Sequence, residues 1–434
     1  MNLFRLSSEI KKRLVFGVVF FYLTGPVFRI YHAYISDIFF LVTFLLVLFS
    51  GTRFKLDNIY MRIFLIPCFI TVIIIAGKFF MGFELGSDEL ANFLNYVKLF
   101  FLFVLVYSVF MESSSENTAR RDLRLFNSIL IFFIILVSSI GILQFTNSPI
   151  ADFIIKNFYH VVHKSGSDNI YEFQLLNRVT SIFDSFNGMG IVLCFTLFIF
   201  IFVNTELKNY WSILIILLGI LMIFLSGNRA SLIMLFLMSV SYLLYIKKGF
   251  SLKIFGVISV ILISSGLIFF LLSNFLSFDN YIRFYEFKLF LQNGSIPPTL
   301  QVRLEKWQWI PQYMLSVKQG FFGYTTNDFI KEKIYTSPDN QYLNWLVYYG
   351  YIGASLFVLW AIYSLTLLMK KRAGTILSRA VPFTVIYWSG LILIGLVQES
   401  FFFGRLRELF IFLLAMTAAY NSLSKKNIIE TNNV

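Results

Sequence analysis

Apolar runs of about 17–25 residues, long enough to cross the hydrocarbon core of a bilayer as helices, recur along nearly the whole chain. They predict spans at about Leu14–Phe28, Ile35–Phe49, Tyr60–Met81, Phe93–Met111, Leu125–Thr146, Ile182–Val203, Trp211–Ser226, Ala230–Ile246, Ile254–Phe275, Tyr342–Met369, Val381–Gln398 and Glu408–Leu423. The expected fold is an all-α polytopic membrane protein with about 12 transmembrane helices. Two polar stretches interrupt the pattern. The smaller is 147–181, between the fifth and sixth spans. The larger is 276–340, between the ninth and tenth, and it holds acidic and basic groups that lipid excludes. The chain thus divides into spans one to nine (1–275), a large loop (276–340), and the last three spans with a tail (341–434). Within the large loop, Leu300, Leu304, Trp307, Ile310 or Pro311, and Leu315 recur near the helical period. They predict a surface helix over Leu300–Val317 that carries Arg303. Pro297, Pro298 and Asn293-Gly294 break the chain ahead of it. The basic start, Met1–Arg13, lacks a small-residue cleavage site and is read as leading into a retained first helix.

Composition agrees: 58% of residues are hydrophobic and 14% charged, too apolar for a soluble globule of this length. The net charge of +13 is not a nucleic-acid signal once its distribution is read. Alternate short loops hold Arg53, Lys55 and Arg62; Arg120, Arg121 and Arg124; Lys208; Lys247, Lys248 and Lys253; Lys370, Lys371, Arg372 and Arg379. With the N-terminal basic residues and Lys425 and Lys426, they make up more than half of the 36 basic residues. By the positive-inside rule both termini are cytoplasmic and the two long loops face outward. Neither GxxxxGK[ST] nor GxGxxG occurs, so no nucleotide is expected to be used. Cys68 and Cys194 lie inside apolar runs and read as packing residues. His32, His160 and His163 show no metal-ligand spacing with cysteine, which argues against zinc. No metal and no cofactor are expected.

The outward face carries an unusual set of arginines: Arg178, Arg229, Arg303, Arg405 and Arg407. Snorkelling, or pairing with Glu305 and Glu408, is one reading. The other is a clamp for a phosphate or diphosphate, which guanidinium grips through paired donors. Arg229 favours the clamp, because its turn, Ser226-Gly-Asn-Arg-Ala-Ser231, is too short to carry it away from the bundle. Asp339 is the best placed carboxylate for a general base, with Glu399 second; Asp339 equally fits an N-cap of the helix starting near Gln341. Asn340 and Tyr342 fit sugar hydroxyls, and Tyr342 also fits an interfacial belt. Trp307 and Trp309 fit stacking on a sugar ring or resting on lipid. Asn187, beside Gly188 and Gly190, fits a polar orienting role or close helix packing.

Three segments resemble the O-antigen polymerase and O-antigen ligase superfamily, the Wzy and WaaL proteins. One runs from Arg178 to Asn187 and Gly190. The second is the Ser226–Ser231 turn. The third runs from Arg303 and Trp307 through Gly320 and Gly323 to Asp339-Asn340-Gln-Tyr342-Leu343, then Gly350 and Gly353. The resemblance covers roughly Arg178 to Leu368. It implies a GT-C-like fold and metal-independent glycosyl transfer on the outer face of the bacterial cytoplasmic membrane. The implied donor is an oligosaccharide on undecaprenyl diphosphate, with a flippase and a chain-length regulator as partners beside membrane lipid. The ligase branch places a histidine where this chain has Asp339, so the polymerase branch is favoured. The family's Arg-x10-Gly spacing is missing after both Arg178 and Arg303. A ligase, or a polysaccharide flippase or exporter, is the alternative. The exporter would show repeat halves and mid-membrane charges, and the chain has no evident repeat and few such charges, Lys98 being the clearest.

Overall fold

A computed structural model describes residues 6–24, 29–30, 33–56, 58–83, 85, 87–112, 116–158, 179–183, 186–203, 210–247, 298–324, 340–369, 380–396 and 404–432. Among them, a hairpin of two-residue strands, β1 (Arg29–Ile30) and β2 (Ala33–Tyr34), accompanies an otherwise helical chain. The helices are α1 (Ser8–Thr24), α2 (Ile35–Phe49), α3 (Met61–Phe80), α4 (Ser87–Glu112), α5 (Glu116–Phe145), α6 (Pro149–Phe158), α7 (Phe186–Val203), α8 (Tyr210–Leu225), α9 (Arg229–Lys247), α10 (Pro298–Ser316), a 3₁₀ turn at Lys318–Phe321, α11 (Gln341–Met369), α12 (Ala380–Ile394) and α13 (Gly404–Asn432).

Among the described residues, four helices are long and apolar enough to cross a membrane: Met61–Phe80, Glu89–Glu112, Asn117–Phe145 and Gln341–Met369, with mean hydropathies of 2.4, 2.0, 2.5 and 2.0. Their outward faces are apolar as well. α3 buries Ile63, Ile70 and Ile74 yet exposes Phe69, Val72 and Ile73. A helix apolar all round suits lipid as its solvent. Shorter apolar helices cover Ile35–Phe49, Asn187–Val203, Tyr210–Leu225, Ala230–Tyr242 and Phe383–Ile394. The ninth expected span, 254–275, lies outside the described residues.

The helix ends differ from the apolar runs in a consistent way. α4 and α5 begin at Ser87 and Glu116, ahead of the expected Phe93 and Leu125, because hydropathy marks the hydrocarbon layer and a helix continues through its polar first turns. α1 begins at Ser8 instead of Leu14, where the Ser7 hydroxyl accepts the Ile10 amide at 3.3 Å, an N-cap. It ends at Thr24, before Gly25-Pro26, a pair that cannot continue a helix. Hydrophobic periodicity gave no helix within 147–181, yet Pro149–Phe158 forms one. Its signal was Pro149 at the first helical position, where the missing N–H costs nothing.

The chain divides into two compact units. One comprises 1–12, 47–114 and 298–434, the other 13–46 and 115–297. Each is wrapped on a helix whose surface is hidden. In the first, α13 is buried continuously from Glu408 to Tyr420 and packs along α4. In the second, α7 is buried from Gly188 to Phe202 and packs on α5, α8 and α9. At the other end of α13, Lys12 lies over the Phe110 and Tyr420 rings, 5.3 and 5.8 Å from their centroids. Lys11 pairs with Glu112 at 2.8 Å.

Candidate functional site

In the first unit Gly320, Gly323 and Gly350 of the third resemblance meet at one junction. α11 is not continuous: Gly350 has φ 65° and ψ −174°, a break in the helix. The carbonyls ahead of such a break lose their helical donors and need others, since hydrocarbon supplies none. Two replacements are present. The Tyr324 amide donates to Val347 O at 2.8 Å, and the Lys78 ammonium donates to Tyr348 O at 3.1 Å. Lys78 also donates to Tyr324 O at 3.2 Å and pairs with Glu89 at 2.9 Å. The segment Gly320–Tyr324 thus lies backbone against backbone on the broken helix. A Cβ on Gly323, whose φ is +84°, would strike Tyr348 and Tyr349 main chain, and one on Gly350 would strike Phe321 and Gly323. That contact is the physical reason for glycine at both places. Gly323→Ala is expected to destabilise the protein by about 3 kcal/mol or more, combining left-handed strain with overpacking. Gly82→Ala is the control: φ is +73° but the space is open, so only about 1–2 kcal/mol of strain is expected. Thermal unfolding in detergent measures both.

α10 packs onto the same junction, though not by the stripe its sequence predicts. Ile310 and Met314 are buried against Tyr324, Leu346 and Val347, with Tyr313 and Val317 beside them, whereas Leu304 and Leu315 are 36% and 73% exposed. Pro311, inside the helix, has its carbonyl taken by the Tyr351 hydroxyl at 2.8 Å. Arg303, one to two turns from the start of α10, is half-buried. Trp307 is half-buried with Nε1 hidden and without a hydrogen-bond partner among the described residues. Trp309 is exposed and stacks on Tyr313, centroids 5.1 Å apart.

The start of α11 corrects two sequence readings. The cap is Asn340, not Asp339: its Oδ1 accepts from Tyr342 N at 2.8 Å and Leu343 N at 3.2 Å. Its amide nitrogen donates to Leu396 O at 2.7 Å. Tyr342 donates its hydroxyl to Ile392 O at 2.8 Å and sets its ring edge-on to Trp345. Both residues, expected to hold sugar hydroxyls, therefore commit these groups to joining α11 to α12. Every amide of the first turn is also occupied, Gln341 N by Gly395 O at 2.8 Å. Asp339 and Glu399 lie outside the described residues.

Arg405 and Arg407, on the first turn of α13, are half-buried. The acids expected to neutralise them are engaged elsewhere: Glu408 pairs with Lys98 at 2.9 Å and Glu305 accepts from Gln301 at 3.2 Å. Arg407 lines a small cavity with Phe64, Tyr96, Trp360 and Trp388.

The second unit gathers the other two segments. Val179, which directly follows Arg178, donates its amide to Leu225 O at 3.1 Å, at the end of α8. Gln144 holds the same strip, its Oε1 accepting from Thr180 N at 3.0 Å and Ser181 N at 2.8 Å. The Ser226–Ser231 turn is built as a double cap. Ser226 Oγ donates to Ile223 O at 2.6 Å and accepts from Asn228 N at 3.3 Å, and Asn228 Oδ1 accepts from Ser231 N at 3.2 Å. Asn228 Nδ2 reaches across to the Asn187 carbonyl at 3.1 Å, and Gly190 leaves room for the Asn228 side chain. Asn187 thus stands at the head of α7, and Arg229 opens α9. Arg178 and the side chain of Arg229 lie outside the described residues. Sequence reading passed over Gln144, Asn228, Lys78 and Glu89. Of these only Lys78 carried a signal, a charge near the end of an apolar run. Among the described residues no three His, Cys, Asp or Glu side chains converge as a metal site. Compared with protein-family models, curated proteins and solved structures, the chain matches none significantly.

Proposed function

We propose that this protein is a Wzy-type polysaccharide polymerase. It joins undecaprenyl-diphosphate-linked oligosaccharide units on the outer face of the bacterial cytoplasmic membrane. The observation that carries the reading is the convergence of the family-like segments within each unit. Val179, Asn187 and the Arg229 turn are tied by main-chain and Asn228 contacts. Gly320, Gly323 and Gly350 belong to one junction with α10, while the Asn340 cap joins the start of the same helix to α12. Residues separated by long stretches of sequence thus acquire one local purpose in each unit, which chance resemblance would not require.

In this reading the chain has about twelve spans in a GT-C-like arrangement, with both termini cytoplasmic and both long loops outside. Arg178, Arg229 and Arg303 stabilise the negative charge that develops on the leaving diphosphate, the main barrier-lowering effect open to a protein without a metal. Arg405 and Arg407 add positive field from the last outward turn. Asp339 takes the proton of the attacking hydroxyl, with Glu399 in reserve. Asn340 and Tyr342 fix the helix end that Asp339 precedes. Partners are the lipid-linked repeat unit, a flippase that delivers it and a chain-length regulator.

Two experiments test the reading. A deletion strain should show its surface glycan ladder collapsed to single repeat units. Loss of every attached unit would mark a ligase instead, and an unchanged ladder would exclude both. Reporter fusions at Ser167 and Asn293 should read outside, and those at Arg121, Lys248 and after Val434 inside. An inside signal at Asn293 would remove the site's access to an outward substrate.

A further inference from the structure

The short helix α6 shows an apolar side that the chemistry above does not use. Ile150 and Phe153, neighbours at helical spacing, are 58% and 61% exposed. Ala151 is fully buried, and α6 packs on α5. Ile154 and Ile155 are half-buried. At about 3.6 residues per turn, exposure changes smoothly around the helix. Phe153 and Ile150 adjoin on the open side, Ile154 stands at its edge, and Ala151 lies on the protein side. The remaining arc holds positions 152 and 156, an aspartate and a lysine. The helix thus has a side on the protein, an open apolar side, and a side of ionisable positions.

The place of α6 in the chain decides what meets the open side. α5 is apolar enough to cross a membrane from Asn117 to Phe145, and it presents Phe132, Ile135 and Ile142 outward. The chain then turns tightly. Asn147 takes φ 53°, its amide donates to Gln144 O at 3.0 Å, and the Ser148 amide donates to Leu143 O at 2.9 Å. This bond pair is the Schellman closure of a helix end. Pro149 opens α6 at once, so the helix is fixed at the end of the apolar span. Its ten residues rise about 15 Å, about half the hydrocarbon thickness, too little to cross. A short helix with one apolar side, held where a span ends, suits the bilayer interface. We infer that α6 lies in that interface, with Ile150 and Phe153 seated among the phospholipid acyl chains. Lipid is the occupant because the apolar exposure of α5 reaches Ile142 and resumes at Ile150 across the turn at 146–148. Gln144, which holds Thr180 N and Ser181 N, belongs to the last turn of α5. The lipid contact therefore steadies the helix end from which that strip is held, whatever reaction the protein performs.

The test attaches a nitroxide to Ile150→Cys or Phe153→Cys in the full-length protein, reconstituted in vesicles of phosphatidylethanolamine and phosphatidylglycerol. Cys68 and Cys194 are buried, and the wild type serves as the labelling blank. Power saturation reads collision with oxygen, which concentrates among acyl chains, and with a nickel chelate, which stays in water. Phe132→Cys, within α5, is the lipid reference, and Asn117→Cys, exposed at the polar start of α5, is the water reference. Both α6 labels should show nickel collision several-fold below that at Asn117, with oxygen collision retained as at Phe132. The two positions read the same side independently, so one poorly folded variant does not remove the test. Nickel collision equal to that at Asn117 would overturn the proposal and place α6 in water. Loss of collision with both agents would overturn it as well, because a second copy or residues 159–178 of this chain would then cover the side.

Discussion

Replacing Arg229 or Arg303 by alanine is expected to abolish polymer while leaving the amount of protein in the membrane unchanged. Diphosphate departure concentrates charge at the donor, and a fixed guanidinium lowers that barrier without reorganising. Loss of one such donor is worth on the order of 10²–10³ in rate, enough to erase a polymer that needs many successive transfers. The folded state should tolerate the changes. Arg303 is half-buried on α10, two turns before the buried Ile310, and Arg229 follows Asn228, whose own side chain caps α9. Lysine at either position should rescue only in part, since an ammonium lacks the planar paired donors. Quantifying glycan ladders beside membrane protein levels checks this. Full-length polymer in both alanine variants would remove the clamp.

Asp339→Asn should lower the transfer rate by about 10²–10⁴, the usual worth of a general base. The structure sharpens this test, because the competing explanation has been reassigned. A capping aspartate would tolerate asparagine, but the cap of α11 is Asn340, with two amides on its Oδ1. Asn340→Ala should therefore cost about 0.5–2 kcal/mol of stability or more, and Asn340→Asp should cost stability too, because a carboxylate keeps the cap but cannot donate to Leu396 O. Asp339→Asn should leave stability within the roughly 0.3–1 kcal/mol that a carboxylate contributes near a helix N-terminus. A rate loss without a stability loss at 339, and the reverse at 340, separates the two roles in one assay. If Asp339→Asn polymerises normally, Glu399 becomes the base, or transfer proceeds by positioning and leaving-group stabilisation alone.

Much of the helical plan was legible because lipid imposes a coarse code in which apolar length marks a span, though the first span was drawn through Gly25-Pro26 to Phe28 where the helix ends at Thr24. Finer features followed rules that hydropathy does not contain. The break in α11 appears in sequence as one more glycine in an apolar run. Its meaning comes from Tyr324 and Lys78, which arrive from distant segments to take the freed carbonyls. The α10 stripe was misjudged at Leu304 and Leu315, because periodicity shows a face but not what covers it. Within the site, the motif glycines were named without a duty and Asn340 was read as a sugar contact; the glycines make room for main chain, and Asn340 caps α11 and bonds Leu396 O. Gln144 and Asn228 carried no signal at all, since a single amide in a polar turn looks like any other until the chain it bridges is known.

The central claim is polymerisation from a lipid diphosphate donor, and reconstitution tests it most directly. The purified protein in liposomes, given only undecaprenyl-diphosphate-linked repeat units, should release undecaprenyl diphosphate and build chains of two or more repeats with no nucleotide sugar present. A preparation that is folded by its melting transition, yet leaves the repeat units single, would contradict the account.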